Sequence, residues 1–182
     1  GGDVVDACVV TEAMLAAGGS TGLQASLFTH SIAVPHIVDA QDRDLIDRYV
    51  RPTLAGELIG ALAVTEPGGG SDVAGLRTRA ARDGDHYVVN GAKTFITSGF
   101  RADYYTVAVR TGGTGAGGVS LLLIERDTPG FTRTKLQKMG WHASDTATLF
   151  FEDCRVPVDN LIGPENSGFR GIMRNFHSER LG

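Results

Sequence analysis

Two kinds of hydrophobic spacing divide this chain. Residues 4 to 17 place Val4, Val5, Cys8, Val9, Met14 and Leu15 with little polar interruption, which predicts a buried-type helix ending at Gly18-Gly19. Residues 22 to 38 form a second apolar segment, limited or kinked by Pro35. Asp42 to Val50 reads as a short helix with Leu45, Ile46, Tyr49 and Val50 on one face, broken by Arg51-Pro52. After Gly60 the period falls to two. Strands are expected at 59–65, 76–82, 85–89, 92–97, 103–110, 119–125, 131–137, 146–151 and 154–156. Asp83-Gly84 is a hairpin signal, and Asn90-Gly91 is another. From Ser167 the helical period returns, with Phe169, Ile172, Met173 and Phe176 on one face.

The order is helices, a β region, then a helix. We therefore expect an α+β fold: a helical part at 1–56, a barrel-like β domain at 57–163, and the start of a further helical domain at 164–182. Gly1-Gly2-Asp3 carries no initiator methionine, and the chain stops one residue after Leu181, inside an expected helix. A fragment of a longer protein is the expectation.

Composition narrows the function classes. At 182 residues, with 42% hydrophobic and 21% charged residues, the chain has the make-up of a soluble globular protein. A net charge of -4, with no basic stripe, argues against general nucleic-acid binding. No apolar run has membrane-spanning length, and no signal peptide is evident. Cys8 and Cys154 make no disulfide framework, so a reducing compartment is expected, cytoplasm or mitochondrial matrix.

Candidate chemistry concentrates in two segments about thirty residues apart: Thr65-Glu66-Pro67-Gly68-Gly69-Gly70-Ser71-Asp72 and Lys93-Thr94-Phe95-Ile96-Thr97-Ser98-Gly99. Each ends an extended apolar run with hydroxyls and unobstructed backbone, which suits a planar ring that hydrogen-bonds at its edges and a nearby phosphate. The plainer alternatives are a Pro-Gly turn for the first and a strand-core aromatic for Phe95. Gly113 to Gly118 matches G-x-G-x-x-G literally. The apolar run from Val119 reads as a strand, however, where a dinucleotide fingerprint needs a helix, so a surface hairpin loop is expected. The five histidines show no ligand spacing, and no metal site is expected. His142, Ser144 and Asp145 lack a nucleophile elbow and are read, like Trp141, as packing or turn residues.

Together the two segments resemble the flavin-binding signatures of the acyl-CoA dehydrogenase family. Gly140 to Thr146, Phe151-Glu152-Asp153-Cys154-Arg155-Val156-Pro157 with Leu161-Ile162-Gly163, and Ser178-Glu179-Arg180-Leu181 extend the resemblance over about residues 20 to 182. The resemblance implies FAD, bound by Leu62, Val64, Thr65, Gly70, Ser71, Phe95, Ile96 and Thr97, with the Thr97 hydroxyl at the ring and Phe95 packed on it. Phe95 stands where many members carry Trp, and Ser98 where Asn is frequent. It implies an acyl-CoA substrate contacted by Ser71, Phe176, His177, Ser178 and Arg180. Glu179 precedes an Arg-Leu pair, as in the isovaleryl and long-chain types, which implies that it is the catalytic base; most members place that base in a later helical domain. The implied reaction is α,β-dehydrogenation, with hydride passing to flavin. The implied partners are an electron-transferring flavoprotein and further copies of the chain in a tetramer. Two alternatives remain: a flavin oxidase or monooxygenase of the same superfamily, and an inactive β-domain fragment that only binds ligand.

Overall fold

The computed structural model describes residues 4–179. Helix α1 spans Val4–Ala16, α2 Thr21–Leu27 and α3 His30–Ala40. The Ser20 side chain caps α2 by accepting from the Leu23 amide at 3.1 Å. The expected apolar segment at 22–38 is therefore two helices, and Pro35 lies inside the second. Asp42 caps α4 (Arg43–Leu45) through bonds from the Asp44 and Leu45 amides. Pro52 does not end this helix as expected. A π-helical turn at Ile46–Val50 leads into α5, Arg51–Leu54, with Pro52 in its first turn. The widened turn accommodates a residue that has no N–H to give back to the preceding turn.

Seven strands form one curled, mixed sheet: β1 Gly60–Ala63, β2 Arg79–Asp83, β3 His86–Thr97, β4 Tyr104–Arg110, β5 Val119–Glu125, β6 Phe131–Lys135 and β7 Thr146–Pro157. Strand β4 is the hub. Antiparallel β5 covers one edge along its whole length. Parallel β1 covers the first half of the other edge, and β2 meets its end at Arg79–Arg110. The sheet continues β2–β3–β7–β6, all antiparallel.

Two expected pairs of strands are each one strand. Asn90-Gly91 is a bulge within β3 rather than a hairpin: the register with β7 slips between Val89 and Gly91, and Gly91 has φ 146°. A Cβ there would lie 2.7 Å from the Thr78 Cα, so glycine lets β3 pass close to the start of β2. Strand β7 likewise runs unbroken through Asp153, at φ 49°. Gly84 turns the expected hairpin between β2 and β3, and Gly113 to Gly118 form the expected loop between β4 and β5.

Strands β1, β4 and β5 are buried on both faces, whereas β2, β3, β6 and β7 have one exposed face. Tyr105, Val107, Val109, Leu122 and Ile124 point into the hollow of the curl with Ala61, Ala63, Leu149 and Phe151. Tyr104, Ala108, Leu121 and Leu123 point outward with Leu62 and Val64, against Ala33, Val34 and Ile37 of α3 and Ile172 of α6, Gly168–Glu179. Gly168 starts α6 hard against β5, since a Cβ there would lie 2.7 Å from Ser120. The Asn166 amide donates to Ser120 Oγ at 2.7 Å, and the Ile162 amide to the Leu121 carbonyl at 2.9 Å. Helix α1 departs from expectation: Val5, Val9 and Val10 are more than half exposed. An apolar helix fails to be buried where no second layer covers it among the described residues.

His36 lies buried where α3 meets α6, with Asn175 3.4 Å from its Nε2 and Gly171 facing its Nδ1. Burial lowers its pKa to about 4, against the upward pull of Asp39. A group that titrates lower in the folded state contributes stability that is full above its unfolded value, about 6.5, and lost as pH falls toward 4. We predict a loss of about 3 kcal/mol of unfolding free energy over that window from this group. Denaturant melts at pH 6.5 and 4 should show the drop shrinking by that order in His36→Gln.

Candidate cofactor and substrate site

The two segments singled out in the sequence meet side by side. Chain leaving β1 passes Val64, Thr65 and Glu66. The Thr94 amide of β3 donates to the Thr65 carbonyl at 2.9 Å. Glu66 and Gly69 then exchange backbone bonds, each 3.1 Å, around Pro67-Gly68. Gly70 closes on Thr65, where a Cβ would sit 3.2 Å from the Thr65 methyl, and Ser71 is exposed on the turn. A cavity of about 330 Å³ opens here, between Glu66 to Gly69, Leu76 to Thr78, and Gly91-Ala92.

Beyond Lys93 the β3–β7 register slips again, and pairing resumes only at Ile96–Ala147. Within this second bulge Phe95 has φ 59° and is 70% exposed. It is not the strand-core aromatic of the plainer reading. Left-handed backbone in a bulky residue is strained, and the surrounding pairs impose it here. Ser98 follows at φ 56° and is buried. Asp145 fixes that turn: its carbonyl accepts from the Ser98 amide at 2.9 Å, and its carboxylate from the Phe100 amide at 2.7 Å. Arg101 pairs with the same carboxylate at 3.2 Å and reaches α2, donating to the Ser26 carbonyl and hydroxyl, both at 2.6 Å.

That clamp sets Thr97 across a cavity of about 370 Å³ from Thr21, Gln24, Ala25, Phe28, Thr29, Ile32 and Trp141. The Thr29 hydroxyl is buried and has no hydrogen-bond partner among the described residues. Trp141, expected as packing, is instead 57% exposed at φ 54°. Its backbone lies so close to α2 that a Cβ on Gly22 would be 3.1 Å from its Cα.

The main charge beneath this surface is an ion pair. Lys93 is fully buried, its Nζ donating to the Val64 carbonyl at 3.0 Å and to Glu66 Oε1 at 2.9 Å. Glu66 also accepts from the Arg77 amide at 2.7 Å and the Thr78 amide at 2.8 Å. Burial lowers the Lys93 pKa to about 8, opposed by Glu66. Burial alone would raise that of Glu66, but Lys93 and the bonds from Thr78 hold it down at about 2.

Residues 61–154, just over half of the chain, match the family described as the acyl-CoA dehydrogenase middle domain. The chain belongs to the acyl-CoA dehydrogenase family. It is 42% identical to the mouse mitochondrial long-chain specific acyl-CoA dehydrogenase over all of this chain and 43% of that protein. It is 40% identical to a mitochondrial isobutyryl-CoA dehydrogenase of Dictyostelium discoideum, over 97% of the chain and 42% of the relative. A solved structure of a probable acyl-CoA dehydrogenase from Mycobacterium abscessus superposes with TM-score 0.97 at 66% identity, over all of this chain and 48% of that one. The chain thus spans under half the length of these relatives.

Against the acyl-CoA dehydrogenase pattern, the expected residues fall into three groups. Thr65, Gly70, Ser71, Phe95 and Thr97 are at or near the surface, on the two joined segments. Leu62 and Val64 are side chains of the outer core and Ile96 of the inner one, so each offers a ligand only backbone. Phe176 packs against the outer core, and His177, Ser178 and Glu179 form the end of α6. Arg180 lies outside the described residues. Ser144 is buried, and the Asp145 carboxylate is committed to Phe100 and Arg101, so no hydrolytic triad forms here. No cluster of three potential metal ligands occurs among the described residues.

Sequence reasoning missed Gln24, Phe28 and Thr29 as cavity residues, and the pairing of Lys93 with Glu66. A lysine inside an apolar strand run was the available signal, because a buried charge demands a partner. Since Asp145 holds the turn after Thr97, Asp145→Ala should lower stability by about 2 kcal/mol. Hydrogen exchange at the Phe100 amide should quicken in that variant. Unchanged exchange there would show that the carboxylate does not hold the turn.

Proposed function

We propose that the full-length protein catalyses FAD-dependent α,β-dehydrogenation of an acyl-CoA thioester. The reading rests on family membership and on one structural observation: the Thr65 and Phe95–Thr97 segments are bonded side by side, next to a cavity lined by Thr97 and by Thr29, whose hydroxyl is buried and orphaned. These residues fit a flavin. They combine an exposed aromatic face, hydroxyls at a cavity wall, and the open backbone of Gly68 and Gly69, around which a Cβ would meet nothing within 4 Å. Thr65 and Thr97 would hold the ring edges, Phe95 its face, and Gly70-Ser71 the phosphates; Val64 and Ile96 would contribute backbone. FAD supplies the two-electron acceptor for the hydride that leaves the substrate's β-carbon.

Glu179 is the proposed base that removes the α-proton. A carboxylate suits this task when a dry site raises its proton affinity toward that of the thioester α-carbon. Gly168 and Ile172 seat α6, the helix that ends in Glu179, on β5 and the outer core, which supports the reading. Phe176, His177, Ser178 and Arg180 are the proposed substrate-channel residues on the same helix, with Ser71 at the thioester's CoA end. Residues 1–56, 57–163 and 164–182 would correspond to three domains of the full-length enzyme. An electron-transferring flavoprotein is its proposed oxidant and a homotetramer its proposed assembly.

Anaerobic mixing of the full-length protein with a panel of acyl-CoAs should bleach the flavin absorbance. Glu179→Gln should slow bleaching by about 1,000-fold or more, the loss expected for removing a general base. Bleaching at the parent rate in the variant would move the base elsewhere. Bleaching by substrate, followed by rapid oxygen consumption with no other electron acceptor added, would favour an oxidase of the same superfamily.

A further inference from the structure

The Lys93–Glu66 pair carries an inference beyond the assignment of ligand-facing residues. Burying a lysine completely is costly, and an apolar pair of similar volume would serve stability as well. What an apolar pair would not do is bond three separate stretches of chain at fixed lengths. Lys93 Nζ holds the Val64 carbonyl and the Glu66 carboxylate, the two residues that flank Thr65. Glu66 in turn receives the amides of Arg77 and Thr78, which lead into β2.

Lys93 is also the last residue paired with β7 before the bulge that presents Phe95. Between Lys93 and Ile96 the strand ladder does not dictate backbone position. Three bonds hold the start of this stretch: the Thr94 hydroxyl meets that of Thr148 on β7 at 3.1 Å, while the Lys93 side chain and the Thr94-to-Thr65 backbone bond tie it to the β1 exit. The separation of Thr65 from the Phe95 segment is therefore set by that backbone bond and by the ammonium group beneath the surface.

We infer that the buried Lys93–Glu66 pair is a positioning device for flavin: it sets the spacing of the Thr65 and Phe95–Thr97 segments, and with it the affinity and electronic environment of the bound ring. The inference rests on the cofactor reading above. Neither residue touches the ring in this account. Both act through the segments they hold.

The test uses the full-length protein stripped of flavin, with FAD as the probe. Glu66→Gln, Lys93→Met and the double variant are compared with the parent for apoprotein Tm, FAD dissociation constant and the visible bands of bound flavin. Both single variants should weaken FAD by about tenfold and shift the bands. The double variant leaves no unpaired buried charge, so its Tm should return toward that of the parent while FAD binding stays weak and the bands stay shifted. That split separates positioning from mere stability. Parent-like affinity and bands in Glu66→Gln and the double variant would overturn the inference and leave the pair structural. Should Lys93→Met fail to fold, the isosteric Glu66→Gln decides alone. A parent that binds no FAD would instead overturn the cofactor reading itself, and this inference with it.

Discussion

Strands β4 and β5 carry apolar side chains on both faces, so each must be covered twice. Tyr105, Val107 and Val109 alternate with Tyr104, Thr106 and Ala108 along β4, and all six are buried. One set is covered by curling the sheet until β3 and β7 close over it. The other is covered by laying α3 and α6 across the outside. Even the polar exception is satisfied within this second layer, where the Thr106 hydroxyl donates to the Ala33 carbonyl of α3 at 3.2 Å. A fully buried residue of Val or Leu size contributes about 1.5–3 kcal/mol from apolar burial. The two cores therefore outweigh any single polar contact and determine where the helices sit.

The candidate site inherits its geometry from that constraint. Strand β1 lies between the two cores, with Ala61 and Ala63 inward and Leu62 and Val64 outward. Thr65 thus leaves a strand that cannot rotate. On the far side, Ile96 is buried in the inner core, which anchors the bulge that turns Phe95 outward. Rigid elements flank irregular ones on both segments, and this combination makes a precise binding surface. Strain at Phe95, Ser98 and Trp141 gathers around the cavity that Thr97 enters, where a ligand would profit from preset geometry.

Much of this order was legible in the sequence, and the failures have physical causes. Strands β4 and β5 announced themselves because a doubly buried strand is apolar at nearly every position. The split of β3 at Asn90-Gly91 failed because that dipeptide signals positive φ, which serves a bulge as well as a hairpin. Pro52 failed as a helix end because a π turn can absorb a missing N–H. For α1, the apolar pattern expressed a need for cover, and sequence carries no information on what provides it.

At the site, the motif residues were legible as short local strings, while the cavity was not. Gln24 of α2, with Phe28 and Thr29 at the junction of α2 and α3, lies far from either segment in sequence, and Arg101 brings this region in by reaching Ser26. The pairing of Lys93 was missed for a different reason. A charge in a strand ordinarily marks its wet face, and here the register shows otherwise. Lys93 pairs with Leu149, which is wholly buried, so the ammonium can meet its partner only beneath the surface. The carboxylate it finds belongs to the turn that carries Thr65. The two strings are thus one unit, because the buried ammonium of one is not tolerable without the carboxylate of the other.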